Sequence, residues 1–334
     1  MEDSLTDVKG IGPVTADKLK EAGISTLTQL AITRPDEISA ILGISLAKAK
    51  ELTVFAKDKA LDKAIEIETG QQVLEHRKEH VKYISTGSVE FDRILGGGFP
   101  TDSISMLTGA AAVGKTQTAF SLAISCISKL HRPVAFIETE PSTFTPERLL
   151  QIAELRGIKI DLQKDVYVVR AKSITNPYQQ MLAYELMNKK LEAGIDFGLL
   201  IVDSFSAKFR QTYLGREMLT GRTQELARHL GYLEMLTSKY NIATVLTAQI
   251  MGIPDTGAQL GARLRFKMDK VPYGGEFMLH AVGNLITLQL RETGIWTATV
   301  VDSAYLESGI AAQFKITAAG IEDVSPQQAK KATK

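Results

Sequence analysis

The stretch Gly109-Ala110-Ala111-Ala112-Val113-Gly114-Lys115-Thr116 carries the spacing G-x-x-x-x-G-K-[ST], and its chemistry is the gripping of phosphate. Two glycines let the backbone turn its N–H groups toward phosphate oxygens, and a helix starting near Lys115 adds the positive end of its dipole. Lys115 reaches the outer phosphates, and the Thr116 hydroxyl offers magnesium a ligand. Gln117 follows in the first turn of that helix. The second element is Leu199-Leu200-Ile201-Val202-Asp203, an acid at the carboxyl end of a buried strand, suited to hold the metal with its waters.

Hydrolysis needs a group that orients or deprotonates water. Glu140 follows the strand Val134–Ile137, and Glu138 lies two residues earlier; spacing leaves both open as the base. Gln249 closes Thr247-Ala248-Gln249. Its amide can report a γ-phosphate by hydrogen bonding, or serve as an ordinary loop glutamine.

Two further segments have chemistry suited to nucleic acid. Arg263-Leu264-Arg265-Phe266-Lys267 interleaves cations with apolar and aromatic groups in a Gly-containing stretch, which suits contact with phosphates and unstacked bases. The same residues also read as an alternating edge strand. Val8-Lys9-Gly10-Ile11-Gly12-Pro13, followed by Thr15-Ala16-Asp17-Lys18-Leu19, resembles a helix-hairpin-helix. There, backbone amides around Gly10 and Gly12 bind a DNA phosphate without reading sequence. Leu42-Gly43-Ile44-Ser45 reads as a degenerate second copy.

The elements that position these groups follow from composition and pattern. At 334 residues, with 44% hydrophobic and 23% charged, the chain has room for about two domains at roughly 150 residues each. The net charge of +1 makes local basic stripes, rather than a global field, the means of holding nucleic acid. The single cysteine, Cys126, sits in an apolar helical run and cannot form an internal disulfide, which fits a reducing compartment. Met1-Glu2-Asp3-Ser4 carries acids, and no segment approaches about 18 consecutive apolar residues, so a cytoplasmic, nucleoid-associated protein without membrane contact is expected.

Residues 1–62 read as short helices, 63–80 as a charged linker or exposed helix, and 81–324 as β-branched runs alternating with amphipathic stretches. That alternation predicts an α/β core, a mostly parallel sheet flanked by helices. Predicted strands are Ser103–Leu107, Val134–Ile137, Val166–Arg170, Leu199–Val202, Thr244–Thr247, Leu285–Leu290 and Thr297–Val301. The first four are apolar nearly throughout, as strands buried on both faces should be. Tyr178–Leu191 and Thr223–Lys239 predict helices, and 325–334 a frayed tail.

Together these residues resemble the RecA/RadA recombinase family, most of all its archaeal RadA type, from about residue 8 to 323. The likeness rests on Ser85-Thr86-Gly87-Ser88, Leu95-Gly96-Gly97-Gly98, Gly114-Lys115-Thr116-Gln117, Thr143-Phe144-Thr145-Pro146-Glu147-Arg148, Leu200-Ile201-Val202-Asp203-Ser204, Tyr213-Leu214-Gly215-Arg216, Leu226-Ala227-Arg228-His229, Pro272-Tyr273-Gly274-Gly275 and Val301-Asp302-Ser303. It implies a RecA-like P-loop ATPase core behind a small helix-hairpin-helix domain, using ATP with Mg2+. It implies that Glu140 is the catalytic glutamate, that Arg148 lies against adenine, and that Gln249 and His280 sense the γ-phosphate. Arg216 and Arg222 fall in a first DNA-binding loop, and Arg263, Arg265 and Lys267 in a second, running from about Gly252 to Tyr273. The implied partners are single- and double-stranded DNA, further copies of the chain in a filament or ring, and recombination mediators.

Departures from the family pattern are equally specific. Three alanines and a valine replace the usual Glu-Phe-Gly-Ser interior of the P-loop. Ile67 stands, with Gly70 three residues later, where the linker phenylalanine that plugs a neighbouring protomer is expected. Thr145 replaces an arginine, Thr223 a glutamine and Ala248 an asparagine, while Met268 or Asp269 falls where an acidic cap over a neighbour's ATP belongs. The resulting expectation is a DNA-dependent ATPase that polymerises on single-stranded DNA and promotes strand exchange. A diverged paralogue that binds DNA and ATP without exchange, and a KaiC-like regulatory ATPase acting on protein partners, are the alternatives.

Overall fold

Apolar residues recur at three- and four-residue spacing along the amino-terminal stretch, and each recurrence forms a helix whose buried stripe meets the others. In the computed structural model, which describes residues 5–64, 67–215, 217–252, 270–292 and 294–325, these are α1 (Pro13–Glu21), α2 (Leu27–Ile32), α3 (Pro35–Leu42) and α4 (Leu46–Ala64). Leu19, Leu27, Leu30, Ile38 and Leu52 form their shared core. A capping box starts α2: the Gln29 N–H donates to the Thr26 hydroxyl, and the Thr26 N–H donates to Gln29 Oε1. Gly70 opens a further helix, α5 (Gly70–His80), with no buried residue. The chain divides into two compact units, Met1–Glu79 and His80–Lys334.

The second unit begins with a two-stranded ribbon, β1 (Tyr83–Ile84) and β2 (Phe99–Pro100), around α6 (Val89–Ile94). The order continues β3 (Ser103–Gly109), α7 (Lys115–Ser125), β4 (Val134–Glu138), α8 (Pro146–Leu155), α9 (Leu162–Asp165), β5 (Val166–Val169), α10 (Pro177–Glu192), β6 (Leu199–Asp203), α11 (Ala207–Thr212), α12 (Leu219–Lys239), β7 (Ala243–Gly252), β8 (Lys270–Pro272), α13 (Glu276–His280), β9 (Asn284–Glu292), β10 (Ile295–Ser303), β11 (Ala311–Thr317) and β12 (Gly320–Asp323). The sheet runs β12-β11-β10-β9-β3-β7-β6-β4-β5, with β8 paired to β7. From β5 to β9 every neighbour on this path is parallel, and from β9 to β12 every one is antiparallel.

Side-chain alternation explains why the central strands read as unbroken apolar runs. Phe136, Leu199, Ile201 and Val245 enter one core with Phe91, Phe120 and Phe314. Ala135, Ile137, Leu200 and Leu246 enter the opposite core with Phe205, Phe209 and Leu233. Both faces are thus covered, and the polar residues the central strands bury, such as Thr108 and Thr247, find hydrogen-bond partners inside. β5 departs from the expectation of full burial: it is the edge strand, half-buried along its length. The small strands β1, β2, β11 and β12 were not expected from pattern. The first two have two residues each, and β12 is held at its end by side-chain chemistry. There Asp323 accepts the Ser88 hydroxyl and the N–H groups of Val89 and Glu90, capping α6.

Cys126 lies buried after α7, and burial pushes its thiol up to about 12, so it is no nucleophile. His229 on α12 is buried with ring centroids 5.4 Å from Tyr184 and 4.8 Å from Phe209. Neither of its nitrogens has a hydrogen-bond partner among the described residues; the Glu225 carboxylate stands 3.6 Å away. Burial first, and the charge of Arg228 second, lower its pKa from 6.5 to about 3. The folded state therefore holds this imidazole neutral, and the unfolded chain takes up the proton as pH falls below 6.5. Its contribution is complete above pH 6.5 and is lost toward pH 3, at up to about 1.4 kcal/mol per pH unit. Thermal unfolding followed from pH 7 to 4 should show a shallower loss of stability in His229→Phe than in wild type; equal slopes would remove His229 as the cause.

Candidate functional site

The phosphate loop connects β3 to α7, where two close approaches require glycine. Gly114 is the N-cap of α7 at φ 96, and a Cβ there would lie 2.3 Å from Ile316 Cδ1. At Gly109 a Cβ would lie 2.6 Å from the Leu288 carbonyl oxygen. The loop backbone thereby rests against β11 and β9 and keeps its N–H groups at the helix start. Ala110, Ala111 and Ala112 are exposed, and Val113 is buried. Ala112 adopts φ 58, at the position where the family pattern carries its interior glycine; the left-handed region costs a residue with a Cβ roughly 1–2 kcal/mol.

Lys115 folds over this loop, its Nζ donating to the carbonyls of Gly109 at 3.0 Å and Ala110 at 2.7 Å. Burial holds its ammonium below the usual lysine range, against the opposing charges of Asp203 and Glu140. Across the loop the Thr116 hydroxyl donates to Asp203 Oδ2 at 2.6 Å, and the Thr247 hydroxyl donates to Asp203 Oδ1. Asp203 is buried, and burial raises its carboxyl above the aspartate range despite these two bonds. A threonine hydroxyl beside a carboxylate is a hard-oxygen pair of the kind magnesium takes. Register assembles these groups: Gly109 lies opposite Gln249, and Glu138 opposite Asp203.

The two acids left open by spacing have different surroundings. Glu138 is buried, its Oε2 accepting from Arg170 Nε at 2.7 Å and the Ala171 N–H at 3.0 Å, its Oε1 from the Phe144 N–H at 3.2 Å. Burial opposes ionisation, but these donors outweigh it and hold the carboxyl below the usual glutamate range. Glu140 is a third exposed, and its Oε1 accepts from Arg210 Nη2 at 3.2 Å. Arg210 Nη1 also donates to Gln249 Oε1 at 2.7 Å. Sequence reading missed Arg210, which sits on the short helix α11 in no recognisable motif, and Thr247, which reads as one more strand residue.

Arg148 is fixed rather than mobile: Nε donates to Gln117 Oε1 at 2.8 Å, Nη1 to Gln151 Oε1 and the Ala318 carbonyl, and Nη2 to the Thr317 carbonyl. Beside it a cleft of about 350 Å³ opens between the P-loop residues 112–117, Trp296 and Ile316. Arg222, expected in a loop, lies instead in the first turn of α12, its guanidinium 4.9 Å from the centre of the Tyr273 ring. His280 ends α13, half-exposed, with Nδ1 3.4 Å from Asp302 Oδ2. Arg216, Arg263, Arg265, Lys267, Met268 and Asp269 lie outside the described residues.

In the first unit Gly10 lies in the turn before α1, and Gly12 is the helix N-cap without a side chain to satisfy the first amides. Gly43 joins α3 to α4 in the second hairpin. Ile67 is 97% exposed.

A family model described as Rad51 matches residues 76–324, which include the whole nucleotide cleft. The chain belongs to the Rad51 family. A second model, described as a SAM-like helix-hairpin-helix tandem, matches residues 2–58. The chain is 34% identical over 328 residues to the DNA repair and recombination protein RadA of Aeropyrum pernix, covering 96% of each chain. The Rad51-family core is the RecA-like α/β unit expected from the sequence, with a helix-hairpin-helix tandem before it. Among the described residues no helix is long and apolar enough to cross a membrane.

The contrast between the two glutamates can be tested by stability. Glu138→Gln should lose about 1.5–3 kcal/mol, the worth of hydrogen bonds to a buried charged group, whereas Glu140→Gln should stay within about 0.5 kcal/mol of wild type. Urea unfolding checks both, and an unchanged midpoint for Glu138→Gln would refute its anchoring role.

Proposed function

We propose that this chain is a DNA-dependent ATPase that polymerises on single-stranded DNA and promotes homologous pairing and strand exchange in recombination and repair. The observation that carries the reading is the meeting of Lys115, Thr116, Asp203, Glu140 and Gln249 at one end of the sheet, linked by the contacts of Asp203 and Arg210. Membership of the Rad51 family and likeness to a DNA repair and recombination protein support the biological setting.

In this reading Lys115 and the loop amides from Gly109 to Gly114 bind the phosphates of ATP, and Arg148 with Gln117 supports the base. Thr116 and Asp203 hold magnesium, which when bound neutralises phosphate charge. Glu140 takes the proton of the attacking water; Glu138, with both oxygens engaged, is not the base. Gln249 and His280 report the γ-phosphate. Arg216, Arg222, Arg263, Arg265 and Lys267 contact single-stranded DNA, while amides at Gly10 and Gly12 contact duplex phosphates. Recombination mediators would act on the polymer, and the protein would work at the nucleoid in the cytoplasm.

Lys115→Ala should abolish nucleotide-dependent DNA binding. Glu140→Gln should bind ATP yet turn over at least about 100-fold more slowly, the usual loss when a general base is removed. Joint-molecule formation with ATP and magnesium tests the whole reading, and its absence beside intact ATPase activity would overturn strand exchange and support the second one.

That second reading, a paralogue that loads or assists another recombinase, is favoured by Ile67, whose exposed aliphatic chain offers less area than an aromatic anchor. If Ile67 is the interprotomer plug, Ile67→Phe should lower the protein concentration at which filaments nucleate, by roughly 5- to 30-fold for about 1–2 kcal/mol per interface. Electron microscopy of the protein with single-stranded DNA and a non-hydrolysable ATP analogue reads this out; an unchanged threshold would exclude Ile67 as that plug.

A further inference from the structure

Among the described residues Arg210 is the one cation hydrogen-bonded to both polar groups that the proposed reaction assigns to water and to the γ-phosphate. Its guanidinium spans them, with Nη1 on Gln249 Oε1 at 2.7 Å and Nη2 on Glu140 Oε1 at 3.2 Å. Its Nε is buried without a partner among the described residues, so those two side chains supply the side-chain hydrogen bonds seen for this guanidinium. The arms are unequal. The Gln249 bond is a short charge-to-amide hydrogen bond, while the Glu140 contact is a longer ion pair, a third exposed on both sides.

The backbone around Arg210 gives this bridge a second connection. α11 starts four residues after Asp203 and ends at Thr212. Tyr213 then stacks on Phe209, with ring centroids 6.4 Å apart and planes at 19°, immediately before the Leu214-Gly215-Arg216 segment assigned to DNA. Phe209 and Phe205 pack on His229 of α12. From the other side the Tyr273 N–H donates to the Gln249 carbonyl at 3.2 Å, and Arg222 lies over the Tyr273 ring. The described residues that border both DNA-assigned segments therefore reach Gln249 within a few contacts, on one side through Arg210 and on the other through Tyr273.

We infer that Arg210 is a positioning residue that interlocks the base with the phosphate sensor, holding Glu140 idle until Gln249 lets go. Resting on the reading above, the interlock specifies how hydrolysis is made conditional on DNA. While Oε1 accepts from Arg210, the guanidinium fixes the orientation of the Glu140 carboxylate. When the Gln249 amide turns to a phosphate oxygen, Arg210 loses its shorter bond, and the longer, part-exposed contact to Glu140 alone no longer fixes the guanidinium. A shift of α11 on DNA binding then draws the guanidinium away from Glu140. The base then becomes available only with nucleotide sensed and DNA seated.

ATP turnover of the full chain, with and without saturating oligo-dT, tests this in wild type, Arg210→Met and Arg210→Lys. Methionine keeps much of the side-chain bulk but cannot bridge. Lysine keeps the charge but presents a single nitrogen in place of the two that hold Gln249 and Glu140. Under the interlock both variants raise DNA-independent kcat about five-fold, the rate equivalent of the ~1 kcal/mol a part-exposed ion pair supplies, leave KM for ATP unchanged, and shrink the ratio of DNA-stimulated to basal rates. A DNA-independent kcat equal to or below wild type in both variants overturns it, as does loss of turnover with and without DNA, which would place Arg210 in the chemical step. Should Arg210→Met fail to fold, Arg210→Lys alone decides the point by the same readout. If wild type itself shows no stimulation by oligo-dT, the proposed function fails rather than the interlock.

Discussion

The carboxylate of Asp203, taken out of water and held between the hydroxyls of Thr116 and Thr247, is the contact on which the rest of the cleft depends. It draws together the start of α7, the end of β6 and the middle of β7, three segments far apart in sequence. A buried acid is costly unless its oxygens find donors, so these hydroxyls are structural requirements as well as chemical opportunities. Burial alone drives this carboxyl toward its neutral form; a divalent cation beside it would reverse that preference, since a bound metal is the largest local charge. The two hydroxyls and the carboxylate are hard oxygen donors of the kind such a cation takes.

Strand geometry sorts the two glutamates. Glu138 is the last residue of β4 and lies opposite Asp203 in the sheet, so its side chain remains within the fold and collects three donors. After it the chain leaves the strand: the Thr139 N–H donates to the Asp203 carbonyl, and the Thr139 hydroxyl donates to the Ser204 carbonyl. That pair of bonds turns the backbone and delivers Glu140 outward to Arg210. Two residues of separation would place both acids on one face of a continuing strand, and the turn at Thr139 separates their environments.

Aromatic packing beneath the first DNA-assigned segment connects stability to the site. Phe205 and Phe209 frame both ends of the path from Asp203 to Tyr213, and His229 fills the space between them as a neutral ring. This core is apolar and close-packed, so displacement of α11 is resisted by whole side chains rather than absorbed locally. Under the proposed function, coupling between DNA and nucleotide runs through the small set of polar contacts above this layer.

The phosphate loop, the paired hydrophobic helices and the central strands were legible in the sequence because each is dictated locally. Glycine spacing specifies a phosphate turn, and period-2 or period-3.6 apolar patterns specify strand or helix whatever surrounds them. Gly109 to Thr116, Asp203 and the run of β4 required no neighbours to be read. Spacing could not choose between Glu138 and Glu140 and could not find Arg210 or Thr247; the family resemblance set Arg222 in a loop rather than on α12, and apolar pattern took edge strand β5 as buried. Each of these turns on what lies opposite a residue across the sheet or beyond a turn. Sequence determined which chemistry was present in this chain; the tertiary structure decided which side chains face one another, because burial and hydrogen-bond partnership belong to pairs of distant residues and are encoded by neither alone.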